Sequence, residues 1–299
     1  MDISQLNQKF GIADHVKFTS GKGEWPYVHL ENNGSTAFVS LYGAHVLHYT
    51  PKGEKDVLWM SETSFFEQGK PIRGGIPVCW PWFGPHESDS SKPMHGFARL
   101  SMWEVAKTQV NAKGETELTL FLTDSATTKA LWPFSFQANI IITLGEKLNV
   151  ALNVLNTGSE PFSMTEALHS YFQVGEASQI TIEGLGGCTY LDGLNQNSPV
   201  VQKEKFIEIK KEENRRFIDT TGTCIVHDPV FGRNIKVEKQ NSNTTVVWNP
   251  WEATARSMPD FADESYHTMV CVEAANAYSN AVTVQPGGEF EIGTTIGII

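Results

Sequence analysis

The sequence predicts an all-β chain built as a large antiparallel β-sandwich, and three observations carry that prediction. Runs rich in β-branched and aromatic residues recur along the chain, long stretches with helical apolar spacing are scarce, and a short glycine-containing connection joins two of the runs as a hairpin.

In order, the strand-like runs are 37–41, 117–122, 138–144, 148–154, 180–182, 235–237, 244–248 and 269–272. The hairpin is Gly145-Glu146-Lys147 between two of these runs. In the second of them Leu148, Val150, Leu152 and Val154 alternate with polar or small residues, as in a strand with one face against a core. Such strands pair naturally into antiparallel sheets packed face to face. The polar stretch 203–216 reads as a solvated connection with some helix. The aromatic block at 80–85, WPWFGP, is too rigid and apolar for a linker and reads as a structured loop lining a cavity. No repeat, low-complexity tract or linker divides the chain, and sandwiches of nearly 299 residues can keep one continuous core, so a single domain over 1–299 is expected.

Apolar residues make up 40% and aromatics 11%, enough to build a core and line a pocket. The net charge of −11, with 23 scattered Lys and Arg, disfavours nucleic acid and anionic membranes as partners. A small phosphate ester stays compatible, because one or two buried arginines override a weak global field through short charge-assisted bonds. Cys79, Cys188, Cys224 and Cys271 lie far apart without metal-cluster spacing and read as buried thiols; no metal or organic cofactor is expected. The first ten residues lack a basic end followed by an apolar stretch, and no long apolar run follows, so the expected location is cytoplasmic.

Four segments hold residues able to do chemistry. Residues 71–85, PIRGGIPVCWPWFGP, combine Arg73 with two glycines, which let backbone approach a ligand closely, and a wall of aromatics. Residues 95–99, HGFAR, bring His95 and Arg99; two guanidinium forks can hold one phosphate dianion, although arginines of this kind also serve as ordinary surface charges. In 166–174, EALHSYFQV, an extended backbone places Ala167, His169 and Tyr171 on one face, and His169 alone reads more readily as a hydrogen-bonded core histidine than as a catalyst. In 266–275, YHTMVCVEAA, alternation puts Met269, Cys271 and Glu273 on one face, and Glu273 alone reads more readily as a solvated strand-end carboxylate. Asp192, in GLGGCTYLD, reads by itself as a cap of the turn before Gly193.

Taken together, these blocks resemble the hexose-6-phosphate mutarotase branch of the aldose 1-epimerase superfamily, in family order from about Thr36 to the C-terminal strands. That branch carries RGG-x-P with WP and FGP, then HGFAR, a His-x-Tyr-Phe motif matched by His169-Ser170-Tyr171-Phe172, a WNPW block matched at 248–251, and a C-V-E segment. The resemblance implies a galactose mutarotase-like sandwich that interconverts the anomers of a hexose 6-phosphate without a cofactor. It implies Glu273 as base, His169 as acid, and Arg73, His95, Arg99 and Asp192 as substrate contacts. Two departures stand out: Met94 replaces a glutamine common before HGFAR, which bears on one sugar hydrogen bond, and Ser170 replaces the proline of galactose mutarotases.

For that chemistry His169 should be an imidazolium and Glu273 a carboxylate, each supported by the other's charge. The expected partner is a small sugar phosphate bound by a monomer. Rival readings are a 1-epimerase of free hexoses, a glycoside hydrolase or lyase using Asp192 and Glu273, and a non-catalytic sugar-phosphate sensor.

Overall fold

The computed structural model describes residues 2–299. Two large antiparallel sheets face each other, and a four-stranded sheet formed by Val16–Ser20, Pro26–Asn32, Ser35–Ser40 and His45–Thr50 flanks them. The nine-stranded sheet contains the expected hairpin, in which Leu144 pairs with Leu148 at the end of strands Phe136–Leu144 and Leu148–Asn156. The eight-stranded sheet runs in the order Ser198–Val201, Thr189–Asp192, Glu213–Phe217, Thr244–Asn249, Met269–Asn276, Glu166–Leu168, Val78–Cys79, with Tyr171–Gln173 also paired to Met269–Asn276. Among the described residues the α-helices are short, Ile3–Phe10, Ala126–Leu131 and Trp251–Ser257, and none is long and apolar enough to cross a membrane.

Between the large sheets lies one buried cluster. Ile140, Ile142, Leu152, Ile235 and Ile296 enter it from the nine-stranded side, and Leu168, Phe172, Val247, Val270 and Val272 from the other. Each such side chain contributes about 1.5–3 kcal/mol when removed from water. Because side chains alternate along a strand, burying Val270 and Val272 in this core turns Met269, Cys271 and Glu273 to the opposite face of the sheet. The core therefore fixes which residues face the site.

The stretch 203–216 differs from its expected form. It contributes strands Phe206–Glu208 and Glu213–Phe217, with Ile207 and Ile209 buried between exposed neighbours. Its many Lys and Glu residues hide an apolar period of two. The thiols differ in part as well: Cys79, Cys224 and Cys271 are buried, whereas Cys188 is half-buried.

Glu166 pairs with Asn276 and is fully buried; its Oε1 accepts from Asn276 Nδ2 at 3.2 Å, and its Oε2 has no partner. Burial pushes its carboxyl up to about 8 from an ordinary 4.5. Below pH 4.5 it is protonated whether the chain is folded or not. Between 4.5 and about 8 the unfolded chain ionises first, so this group lowers stability as pH rises through that window. Glu166→Gln removes the titration. The melting temperature of the variant minus that of the wild type should climb from pH 5 to pH 8; a constant difference would show that Glu166 titrates normally.

Candidate active site

The strand Met269–Asn276 holds the centre of the site. On one side Trp248 pairs with Cys271 and Val246 with Glu273. On the other, Ala167 pairs with Ala275 and, beyond a break in the strand, Tyr171 pairs with Cys271. The register offset is unchanged across the break, so His169 lies level with Glu273. Their side chains meet, His169 Nδ1 standing 3.3 Å from Glu273 Oε1. The imidazole stacks on Tyr171, with ring centroids 4.7 Å apart and planes 7° from parallel, and its edge meets Trp248. The two aromatics fix the ring plane while the His169 backbone N–H donates to the Pro77 carbonyl.

Both groups are almost sealed, His169 at 8% and Glu273 at 1% exposure. His169 Nδ1 and Glu273 Oε2 nevertheless have no hydrogen-bond partner, the 3.3 Å contact lacking the required alignment. Unsatisfied buried polar atoms cost about 1–3 kcal/mol each, so their survival calls for an explanation outside stability. Burial drives the Glu273 carboxyl well above its ordinary range, with Arg216 opposing. The His169 imidazole is held well below its ordinary value by burial first, then by Arg99 and Arg73. Both shifts run against the expected imidazolium–carboxylate pair, because burial favours the neutral form of each group.

Arg73 and Arg99 flank this pair in different states. Arg73 directs Nε and Nη2 at the Asp260 carboxylate, at 3.2 and 3.3 Å, and Nη1 at the Tyr171 hydroxyl, at 3.1 Å. Arg99 is buried, donates from Nη2 to the Met94 carbonyl at 2.8 Å and leaves Nε unpartnered. The Met94 side chain itself is exposed, so the position contributes through its backbone.

His95 sits beside His169, with ring centroids 5.8 Å apart. Its Nδ1 accepts from the Gly84 backbone N–H at 3.1 Å, which leaves the proton on Nε2. Burial and Arg99 keep that ring neutral.

The glycines of the RGG segment serve the protein backbone rather than a ligand. A Cβ on Gly75 (φ +60°) would stand 2.2 Å from the Val46 carbonyl oxygen, and Gly75 in turn accepts from the Tyr171 N–H. Gly96 is equally constrained, since a Cβ there would lie 2.0 Å from the Trp80 carbonyl oxygen. The aromatic loop does line a cavity, of about 680 Å³, with Pro81, Trp82, Phe83 and Pro85 in its wall. Neither His169 nor Glu273 lines the cavity; Phe83 in its wall meets His95, with ring centroids 4.9 Å apart, and His95 in turn stands beside His169.

Residues 26–297 match the profile of the aldose 1-epimerase family. The chain belongs to that family. A protein of Escherichia coli K12, provisionally named a glucose-6-phosphate 1-epimerase, is 36% identical over 241 residues, covering 81% of this chain and 80% of that one. The crystal structure of a Salmonella typhimurium protein, YeaD, provisionally named a mutarotase, superposes with a TM-score of 0.89 at 28% identity, covering 97% and 95% of the two chains. A galactose mutarotase related enzyme from Lactobacillus acidophilus shares the fold at 15% identity, with a TM-score of 0.72 over 91% of this chain and 97% of its own.

Within this aldose 1-epimerase scaffold Asp192 stands apart from the other candidates. The pairs Leu191 to Arg216, Arg216 to Val246 and Val246 to Glu273 put Leu191 on the Glu273 face, while Asp192 projects with Arg215 from the other. Its Oδ1 accepts from the Leu194 N–H at 3.0 Å, so its observed role is to cap the turn. A hydrolytic or lyase pairing of Asp192 with Glu273 has no geometric support.

Sequence reasoning missed Asp260, which orients Arg73, and Arg216, which shares the Glu273 face. Arg216 lines the cavity, bonds Asn197 and lies against Tyr278, with its guanidinium carbon 5.5 Å from the ring centroid. Gly193 leaves room for it, because a Cβ there would come within 2.7 Å of Arg216 Nη1. Arg216 is the charge that opposes burial at Glu273. Arg216→Ala should therefore raise the Glu273 titration further, read from the carboxyl carbon-13 shift; a midpoint that stays in place would remove Arg216 from the electrostatics of the site.

Proposed function

We propose that the chain interconverts the α and β anomers of a hexose 6-phosphate, glucose 6-phosphate first among them, by acid/base-catalysed ring opening and reclosure. The observation that carries this reading is His169 level with Glu273, 3.3 Å apart, with Arg73 and Arg99 both acting on the imidazole. The names of the relatives from Escherichia coli and Salmonella typhimurium support it.

The pair holds one proton, on Glu273 at rest. A phosphate dianion beside Arg99 and Arg73 offsets the positive charge that depresses the imidazole, and the proton then passes from Glu273 to His169 after a small rotation of either group. Glu273 as carboxylate takes the proton of the C1 hydroxyl, and His169 as imidazolium gives one to the ring oxygen as the bond from C1 to that oxygen breaks. The product is an open aldehyde, and the pair still holds one proton. Rotation about C1 to C2 presents the other carbonyl face, and the reverse transfers close the ring. Each proton transfer is worth about 10²- to 10⁴-fold. The Nε2–H of His95 is a donor for a substrate oxygen. Arg99, with its unpartnered Nε, is the stronger phosphate contact, while Asp260 leaves Arg73 only part of its fork.

Glu273→Gln and His169→Ala should each slow anomer exchange by at least about a hundredfold, with little change in melting temperature. Exchange near the wild-type rate, after subtraction of the spontaneous background, would unseat the residue concerned.

Losing a charge-assisted phosphate contact removes roughly 1.5–3 kcal/mol, or about ten- to a hundredfold in catalytic efficiency. Arg99→Ala, and to a smaller degree Arg73→Ala, should show this loss on glucose 6-phosphate and little change on free glucose, followed by exchange NMR. Equal losses on both sugars would assign the arginines to the fold or to the hydroxyls, and would favour a free hexose as substrate.

A further inference from the structure

Beyond proton transfer, we propose that His169, Cys271 and Glu273 form a binding site for a soft divalent cation, zinc above all, and that the bound cation blocks the catalytic pair. Cys271 and Glu273 are two apart on one strand and share a face, and His169 lies level with Glu273 on the neighbouring strand. One ring nitrogen of His169, the Cys271 Sγ and one Glu273 carboxylate oxygen lie within 4.8 Å of one another. This is the one such group of His, Cys, Asp and Glu found among the described residues.

A second observation points to a ligand. His169 Nδ1 and Glu273 Oε2 are buried and unpartnered, so lone pairs are available where a cation would sit. Tetrahedral zinc, at about 2.3 Å from sulfur and about 2.0–2.2 Å from nitrogen and oxygen, needs donors roughly 3.3–3.6 Å apart. A contraction of roughly 1 Å, within the reach of small side-chain rotations, closes the set around one ion. Three protein ligands leave a fourth position for water, as in zinc sites that stay open.

Donor chemistry sets the selectivity. A mixed nitrogen, sulfur and oxygen set suits zinc and cobalt and does not suit magnesium or calcium, which take oxygen ligands. On binding, the thiol and the carboxyl release their protons to solvent, and thiolate plus carboxylate cancel the two charges of the cation. The neutral assembly escapes repulsion from Arg99, and Arg73 is already paired with Asp260. The cation occupies the atoms that accept protons during ring opening. Inhibition therefore rests on the proposed function, whereas binding does not.

Cobalt(II) is the direct probe. Titrated into the full chain, it should give one thiolate-to-cobalt charge-transfer band per chain in the near ultraviolet, erased when zinc is added. Cys271→Ser should abolish that band while Cys188→Ser keeps it, and His169→Ala should weaken cobalt binding at least tenfold. Cys271→Ala serves if the serine variant loses its fold by circular dichroism. No charge-transfer band in the wild type, or one indifferent to both Cys271 substitutions, overturns the site. In the exchange assay zinc should slow wild-type turnover, a chelator should restore it and magnesium should have no effect, while Cys271→Ser should keep its own metal-free rate. A cobalt band together with zinc-insensitive turnover would overturn the block. A chain without anomerase activity would overturn the proposed function, and the cobalt spectrum would still decide the metal site.

Discussion

An unslipped antiparallel register around the strand Met269–Asn276 is the constraint on which the site depends. The strand that carries His169 breaks after Leu168 and resumes at Tyr171, yet its pairing offset is the same on both sides. A slip of one residue would turn His169 into the core and bring Leu168 or Ser170 opposite Glu273. The core resists that slip, because Leu168 and Phe172 are buried in it beside Val270 and Val272 and would have to change sides. Packing on one face of the sheet thereby sets the geometry of the His169–Glu273 pair on the other. The glycine at 75 closes the arrangement, since its carbonyl receives the Tyr171 N–H at a point where no side chain fits.

Burial that fixes the geometry also sets the protonation. A histidine and a glutamate in contact at a surface would be an ordinary ion pair. Here both lose their hydration, which shifts each toward its neutral form. Proton location in such a pair responds to any charge brought close, because little water screens it. Arg99 and Arg73 push the imidazole toward neutrality and Arg216 pulls the carboxyl toward ionisation, so like charges act in different senses on the two members of the pair.

Much of this was legible in the sequence. The hairpin at Gly145, the strand run at 269–272 and the shared face of His169 with Tyr171 follow from a period of two and from turn chemistry, both local properties. The blocks holding Arg73, His95, Arg99, His169 and Glu273 were marked by motif. Arg216 was not, because the Lys- and Glu-rich run before it masks the alternation in which Ile207 and Ile209 are buried. Asp260 was invisible for another reason: its partner Arg73 lies 187 residues away, and nothing local reports such a contact. Asp192 illustrates the reverse, a residue whose type suited a sugar but whose parity on the strand turns it away.

The unequal states of the two arginines bear on how a phosphate could be distinguished from a hydroxymethyl group. Arg73 is neutralised by Asp260 and tied to Tyr171, so its guanidinium acts as a fixed strut beside the imidazole, whose ring Tyr171 also stacks. Arg99 is buried with a donor unspent, a state that costs stability until an acceptor arrives. An uncharged sugar offers that donor a weak bond and leaves the electrostatics of His169 unchanged. Under the proposed function a phosphate would satisfy the donor and offset the positive charge at the imidazole in one step, moving the proton to where ring opening needs it. On that reading, binding energy from a group remote from C1 would be used at C1, the pattern by which an enzyme converts substrate recognition into rate.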